Sequence, residues 1–275
     1  MRYLIVAVLA SVSLAAQSAP PDSRFEVASI KPRTGEPYSG GSRQGPGEFI
    51  RPDITLRALI RFAYDVQEFQ IAGGPEWLSR SRFDVRAKLA AGRGAPVMRV
   101  AVRHLLEERF ALRIRRDARE QPVFILKTAH RDGSLGPRLQ PSALDCESFY
   151  RGTRPVSESP VDEQGRPLCT ILFDVAGPLT TIHYHGIPMS QFVPYLASNM
   201  GRQVIDQTGL TGKYDVSLTF SVNQLNLQLP ARFAESPDDI PISSALVEQL
   251  GLDVDAARAP VEVLTIESVE PLIPD

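Results

Sequence analysis

Two hydrophobic periods alternate along this chain. Leu56, Leu59, Ile60 and Ala63 fall on one stripe at helical spacing, and Thr55 stands where an N-cap belongs. Met189, Phe192, Val193 and Leu196 repeat the stripe at a constant offset of 133 residues. There Pro188 suits a first helical turn, while Pro194 predicts a kink or a short helix. "KYDVSLTFS" (213–221) alternates as a half-buried strand does, and "RFDVRAKLA" (82–90) opens with the same order of basic, aromatic, Asp and Val residues.

The repetition extends outward. "LLEERFALRI" (105–114) parallels "ALVEQLGLDV" (245–254), and "QPVFIL" (121–126) parallels "APVEVL" (259–264). Matches in one order at offsets between 131 and 140 predict an internal duplication. Phe83 and Tyr214, Leu106 and Leu246, and Val123 and Val261 are then expected at equivalent buried positions. Each copy reads as strand, helix, strand, strand, helix, strand, strand. The last two strands are 112–118 and 122–129 in the first copy, and 252–257 and 261–269 in the second. The predicted class is α+β, built of two tandem copies of this module. "FEVASI" (25–30) adds a strand ahead of the first copy. The expected division is a leader at 1–18, a first module at 19–130, a connector at 131–178 and a second module at 179–275. The connector is rich in Pro, Ser, Gly and charge, and a second polar stretch at 222–241 interrupts the second copy.

The leader rests on Arg2, an apolar run at 3–16 and the small residues before Pro20, the grammar of a cleaved secretory signal. The run is short for a membrane span, which needs about 20 apolar residues. The chain has 2 cysteines, Cys146 and Cys169. In an exported chain they point to a disulfide, worth on the order of 3 kcal/mol in the chain-entropy model. Free thiols and half of a metal site are the alternatives, and no His stands at ligand spacing from either Cys.

The net charge of −2 hides two unlike halves. Residues 24–127 carry 20 Lys and Arg against 12 Asp and Glu, whereas residues 179–275 carry 4 against 12. The halves can dock on each other, within or between chains, or the basic half can meet an anionic partner. Arg113, Arg115, Arg116 and Arg119 form the candidate anion contact. The alternative is a solvated strand face balanced by the acidic half.

Catalytic signatures are sparse. His183 and His185 share a strand face and form a weak candidate metal pair without a third ligand. No G-x-S-x-G or S-x-x-K occurs, and the glycine-rich 40–47 lacks the Lys of a phosphate loop. Trp77 reads as a packing residue. No cofactor is expected.

"FEVASIKP", "QIAGGPEWLSRSRFDVRAK", "QVIDQTGLTGKYDVSLTF" and "APVEVLTIESVEPL" together resemble the exported, uncharacterised family of soil-associated proteins, over nearly the whole chain beyond the leader. The resemblance implies a periplasmic or extracellular setting. It also implies kinship with the outer domains of membrane-bound sensor metallopeptidases, whose HExxH motif and membrane helices are absent from this sequence. It supplies no catalytic residues. The element order is similar to the short N-terminal domains of secretins and TonB-dependent transducers, an analogy of fold only. The expected function is an exported, non-enzymatic binding or sensing module of the cell envelope, its partner an unknown envelope protein or anionic polymer rather than nucleic acid. The alternative is an envelope hydrolase, metal-dependent through His183 and His185.

Overall fold

A computed structural model describes residues 23–35, 47–89, 95–221, 223 and 239–272. The leader, nearly all of 40–47, and most of 222–241 lie outside the described residues. In chain order the elements are β1 (Val27–Pro32), β2 (Glu48–Thr55), α1 (Leu56–Tyr64), β3 (Ile71–Gly73), α2 (Trp77–Arg80), β4 (Arg82–Lys88), α3 (Ala95–Phe110) and β5 (Arg113–Thr128). There follow β6 (Leu139–Pro141), α4 (Glu147–Tyr150), β7 (Leu172–Ala176), β8 (Leu179–Pro188), α5 (Met189–Met200), β9 (Val204–Asp206), β10 (Lys213–Ser221), α6 (Ile242–Ala245) with a π-helical turn at Leu246–Leu250, and β11 (Leu252–Ser268). The fold is α+β.

The predicted helical stripe does what its spacing requires. Thr55 caps α1 by accepting from the Ala58 N–H at 3.2 Å, and Leu56, Leu59, Ile60 and Ala63 are all buried. Asp65 ends the helix in the left-handed region and donates its N–H back to Arg61. α5 runs on through Pro194, which cannot give the usual bond to the Ser190 carbonyl.

The strands form three sheets. One has the order β1-β4-β2, a second β6-β10-β8-β7 and the third β3-β11-β5-β9. The third is shared between the halves. β5 and β11 pair antiparallel along their whole length, β3 of the first half pairs with β11 at Leu264–Ile266, and β9 of the second half pairs with β5 at Phe124–Leu126. One hydrophobic cluster gathers around α1, α3 and β4, the other around α5, α6, β8 and β10, at opposite ends of this ribbon.

Two expectations need correction. The last two strands of each predicted module are one strand, β5 or β11. Pro122 and Pro260 do not break these strands, because they sit where β5 and β11 have only each other as neighbours. A ladder open on its outer side has positions where a missing N–H leaves no gap. The register also pairs Phe124 with Val204 and Leu264 with Ile71, so Val123 corresponds to Val263 rather than to Val261. The slip is two residues and leaves the face unchanged. Phe83 and Tyr214, and Leu106 and Leu246, are all buried.

The shared Asp of the two motifs has a structural task. β2 bulges between Arg51 and Ile54 opposite β4, and the β8–β10 ladder shifts at the matching place, between Tyr214 and Val216. Asp53 and Gly186 occupy these bulges at φ 56 and 57. Asp84 accepts the Asp53 N–H at 2.9 Å, and Asp215 accepts the Gly186 N–H at 3.0 Å. Each carboxylate satisfies an amide that the bulge withdraws from the ladder.

The stretch expected as a connector carries β6 and β7, the two edges of the second sheet. Cys146 and Cys169 form the expected disulfide, with Cα atoms 5.0 Å apart. Among the described residues no helix is long and apolar enough to cross a membrane.

Candidate functional site

The ribbon brings the two charge sets together. Arg115 Nε lies 3.1 Å from Glu267 Oε1, and Arg116 pairs with Glu262. Arg119 donates to Thr265 Oγ1 at 2.6 Å and to Asp117 at 3.2 Å. Further along, Lys127 pairs with Asp255 and lies 3.7 Å from Asp253. Arg113 has no ion pair among the described residues. Three of the four arginines of the expected anion contact therefore already face acceptors of their own chain. At 44–56% exposure each such pair is worth at most about 1 kcal/mol. The Thr265 hydroxyl, together with Arg119 and Arg115, holds the Asp117 carboxyl below its ordinary range.

His183 and His185 point to one side of β8 but to different partners. His183 Nε2 lies 3.0 Å from Asp174 on β7, and His185 Nδ1 lies 3.6 Å from Asp215 on β10. Among the described residues no three His, Cys, Asp or Glu side chains converge on a metal position. Trp77 stacks on Phe110 with centroids 6.4 Å apart, the packing role expected of it.

Two features stand out beyond the predicted residues. β7 is an outer strand of its sheet, and its register sets Phe173 against Ile182 and Val175 against Thr180. Ile182 and Thr180 are buried, whereas Phe173 is 50% and Val175 60% exposed. The core face of the sheet thus continues onto β7 past the reach of the helices, leaving an apolar ledge. β7 contributes nothing to the second core cluster.

Beside the ledge, starting at Ile171, opens a pocket of about 550 Å³ between the halves. Asp65 and Arg99, ion-paired at 2.8 Å, form its wall from the first half. Tyr150, Tyr184, Gln191 and Tyr195 form the other. Tyr184 touches Tyr150 and Tyr195 edge-on, with centroids 5.6 and 5.5 Å away. Tyr150 Oη is satisfied, donating to the His185 carbonyl at 3.0 Å. The Tyr184 and Tyr195 hydroxyls and Gln191 Oε1 are buried without a hydrogen-bond partner among the described residues. Asn199, next to Tyr195, gives its amide to the Tyr195 backbone carbonyl instead. An unmet buried polar group costs about 1–3 kcal/mol, so three in one pocket are a substantial burden on the fold. Burial pushes the Tyr150 and Tyr195 phenols up to about 12 and Tyr184 higher still, so all three remain protonated.

The sequence held signs of both features. Ile171, Phe173 and Val175 alternate inside the polar connector, and Pro194 stands inside a helical stripe. The convergence of Tyr150, Tyr184 and Tyr195 from three elements left no local trace. No curated protein and no solved structure matches the chain. A family model does match, over residues 57–269, which takes in both halves and the connector between them. The chain belongs to the family described as Protein of unknown function (DUF3738).

Proposed function

We propose that the chain is an exported binding module of the cell envelope, without catalytic chemistry of its own, which takes an extended segment of a partner protein along β7. The observation that carries this reading is the outer strand whose Phe173 and Val175 prolong the core face into solvent. Outer strands are commonly guarded by charged side chains, Pro or a bulge; β7 has no Pro and no bulge, and its one charge, Asp174, is paired with His183 of β8. An added strand would gain main-chain hydrogen bonds from β7 and cover the ledge with its own alternate apolar side chains. The disulfide fits an oxidising compartment. The resemblance to exported soil-associated proteins, and by fold analogy to secretin and TonB-transducer modules, supports the setting. The duplicated register, bulge and Asp latch support descent of both halves from one unit. The anion-contact reading of Arg113, Arg115, Arg116 and Arg119 is weaker, because three of the four are already engaged.

A photo-crosslinker placed at Ala176 in the native envelope fraction tests the proposal. Phe173→Asp and Val175→Asp change exposed positions and should leave stability within about 0.5 kcal/mol of wild type. The crosslinked partner should be lost from both variants and kept when Arg115 and Arg116 are reversed to Glu. A partner that tolerates both β7 variants but is released by the reversals and by raised salt would overturn strand addition.

A further inference from the structure

The tyrosine pocket calls for an explanation separate from β7. Tyr184 lines the pocket, is 2% exposed, and its hydroxyl is buried without a partner. The orientation of the Gln191 amide is fixed, because Nε2 donates to the Glu147 carbonyl at 3.1 Å. Its Oε1 is therefore an acceptor, buried and unmet. The lining residues thus carry two neutral phenolic donors and one amide acceptor, all three buried without partners. The pocket's cations are already neutralised, Arg99 by Asp65 and Arg151 by Glu147. Ile171, Ile187 and Pro194 supply apolar wall.

The first half shows that the fold does not require such a pocket. By register Arg51 stands opposite Val85 as Tyr184 stands opposite Val216. There the Arg51 guanidinium stacks 4.7 Å from the Phe49 ring and 5.6 Å from Phe62, and Phe25 stacks on Phe49. Aromatic packing fills in the first half what stays open in the second.

A secondary amide complements this donor set. Its carbonyl has two lone pairs for two hydroxyls, and its N–H requires one acceptor. We infer that the pocket between the halves is a binding site for a small uncharged ligand bearing a secondary amide, its carbonyl held by Tyr184 and Tyr195 and its N–H by Gln191. The site is independent of strand addition on β7. A volume of about 550 Å³ suits a small molecule.

The test uses the intact disulfide-bonded chain and two probes of nearly equal shape, N-benzylacetamide and its ester counterpart benzyl acetate. Binding is read by NMR from the Gln191 side-chain amide and the Ile187 methyl signals. The amide should bind at least about threefold more tightly than the ester, the worth of one net hydrogen bond. Tyr184→Phe keeps the ring and removes the donor. It should weaken the amide by a similar factor while thermal stability holds or rises. Gln191→Met should abolish the preference for amide over ester. Equal binding of the two probes, amide binding unchanged in Tyr184→Phe, or no binding of either probe would overturn the inference and leave water as the occupant.

Discussion

Removing the Asp84 carboxylate puts the bulge latch to the test. Asp84 accepts the Asp53 N–H at 2.9 Å and two contacts from Arg33 Nη1 at 3.0 and 3.1 Å. A hydrogen bond to a charged acceptor contributes about 1.5–3 kcal/mol, while the Arg33 pair, at 39% exposure of the Asp84 side chain, adds less than about 1 kcal/mol. Asp84→Ala should therefore cost about 2 kcal/mol, or roughly 4–8 °C in Tm for a chain of this size. Asp215→Ala loses the bond to Gly186 and should cost somewhat less. The Asp53 N–H, followed by Arg33, holds the Asp84 carboxyl below its ordinary range. A depressed carboxyl stabilises the fold above its unfolded pKa, near 4, and the gain is lost as pH falls through the folded value. The gap between wild type and Asp84→Ala should be constant from pH 7 to about 5 and close below about 4. Urea unfolding followed by far-UV circular dichroism and by the fluorescence of Trp77, the 1 tryptophan of the chain, measures it. Trp77 lies in the first half, yet the shared ribbon predicts that Asp215→Ala shifts its transition as well. A gap under about 0.5 kcal/mol, or one indifferent to pH, would refute the latch. A Trp77 midpoint blind to Asp215→Ala would refute the coupling of the halves.

Three further outcomes are expected. Replacing both Cys146 and Cys169 with Ser frees a loop spanning a separation of 23 residues and should cost about 3 kcal/mol, seen as a lower urea midpoint at pH 7. Arg116→Glu should cost about 1 kcal/mol or less, and Glu262→Arg in the same chain should restore it; a loss that the swap leaves unrepaired would mean that Arg116 acts through something other than its cross-ribbon partner. Gly186→Ala should cost roughly 2 kcal/mol or more, because the residue sits at φ 57 and a Cβ there would lie 2.5 Å from the Leu144 carbonyl oxygen; calorimetry of the purified variant reads the shift.

What could be read from the sequence was whatever repeats over several turns or strand positions. α1 showed its cap and its stripe, β10 its alternation, and the paired cysteines their bond. β3 and β9 are three residues each, too short to carry a period, so their exchange between the halves was invisible. The Asp of each motif was legible as a recurring letter, but its task depends on an amide 31 or 29 residues away in a neighbouring strand. The arginines of β5 were legible as charge. Which carboxylates answer them follows from the pairing of β5 with β11, and single-sequence patterns do not encode partners. The pocket was least legible, because unmet hydroxyls are a property of what surrounds them.

The exchanged strands bear on how the chain can be made and divided. Gln70 and Glu262, 192 residues apart, are joined by a hydrogen bond beside the β3–β11 pairing. While the chain is synthesised from its N-terminus, β5 stays bare on the side that β11 will cover until almost the last residues have emerged. Contacts so distant in sequence are slow to form, and an open strand edge in the interval invites wrong pairing with other chains. A cut within 131–178 would not release two sound domains. Between Cys146 and Cys169 the disulfide would still tie the fragments, and separating them would strip the longest strand of each of the partner that covers it.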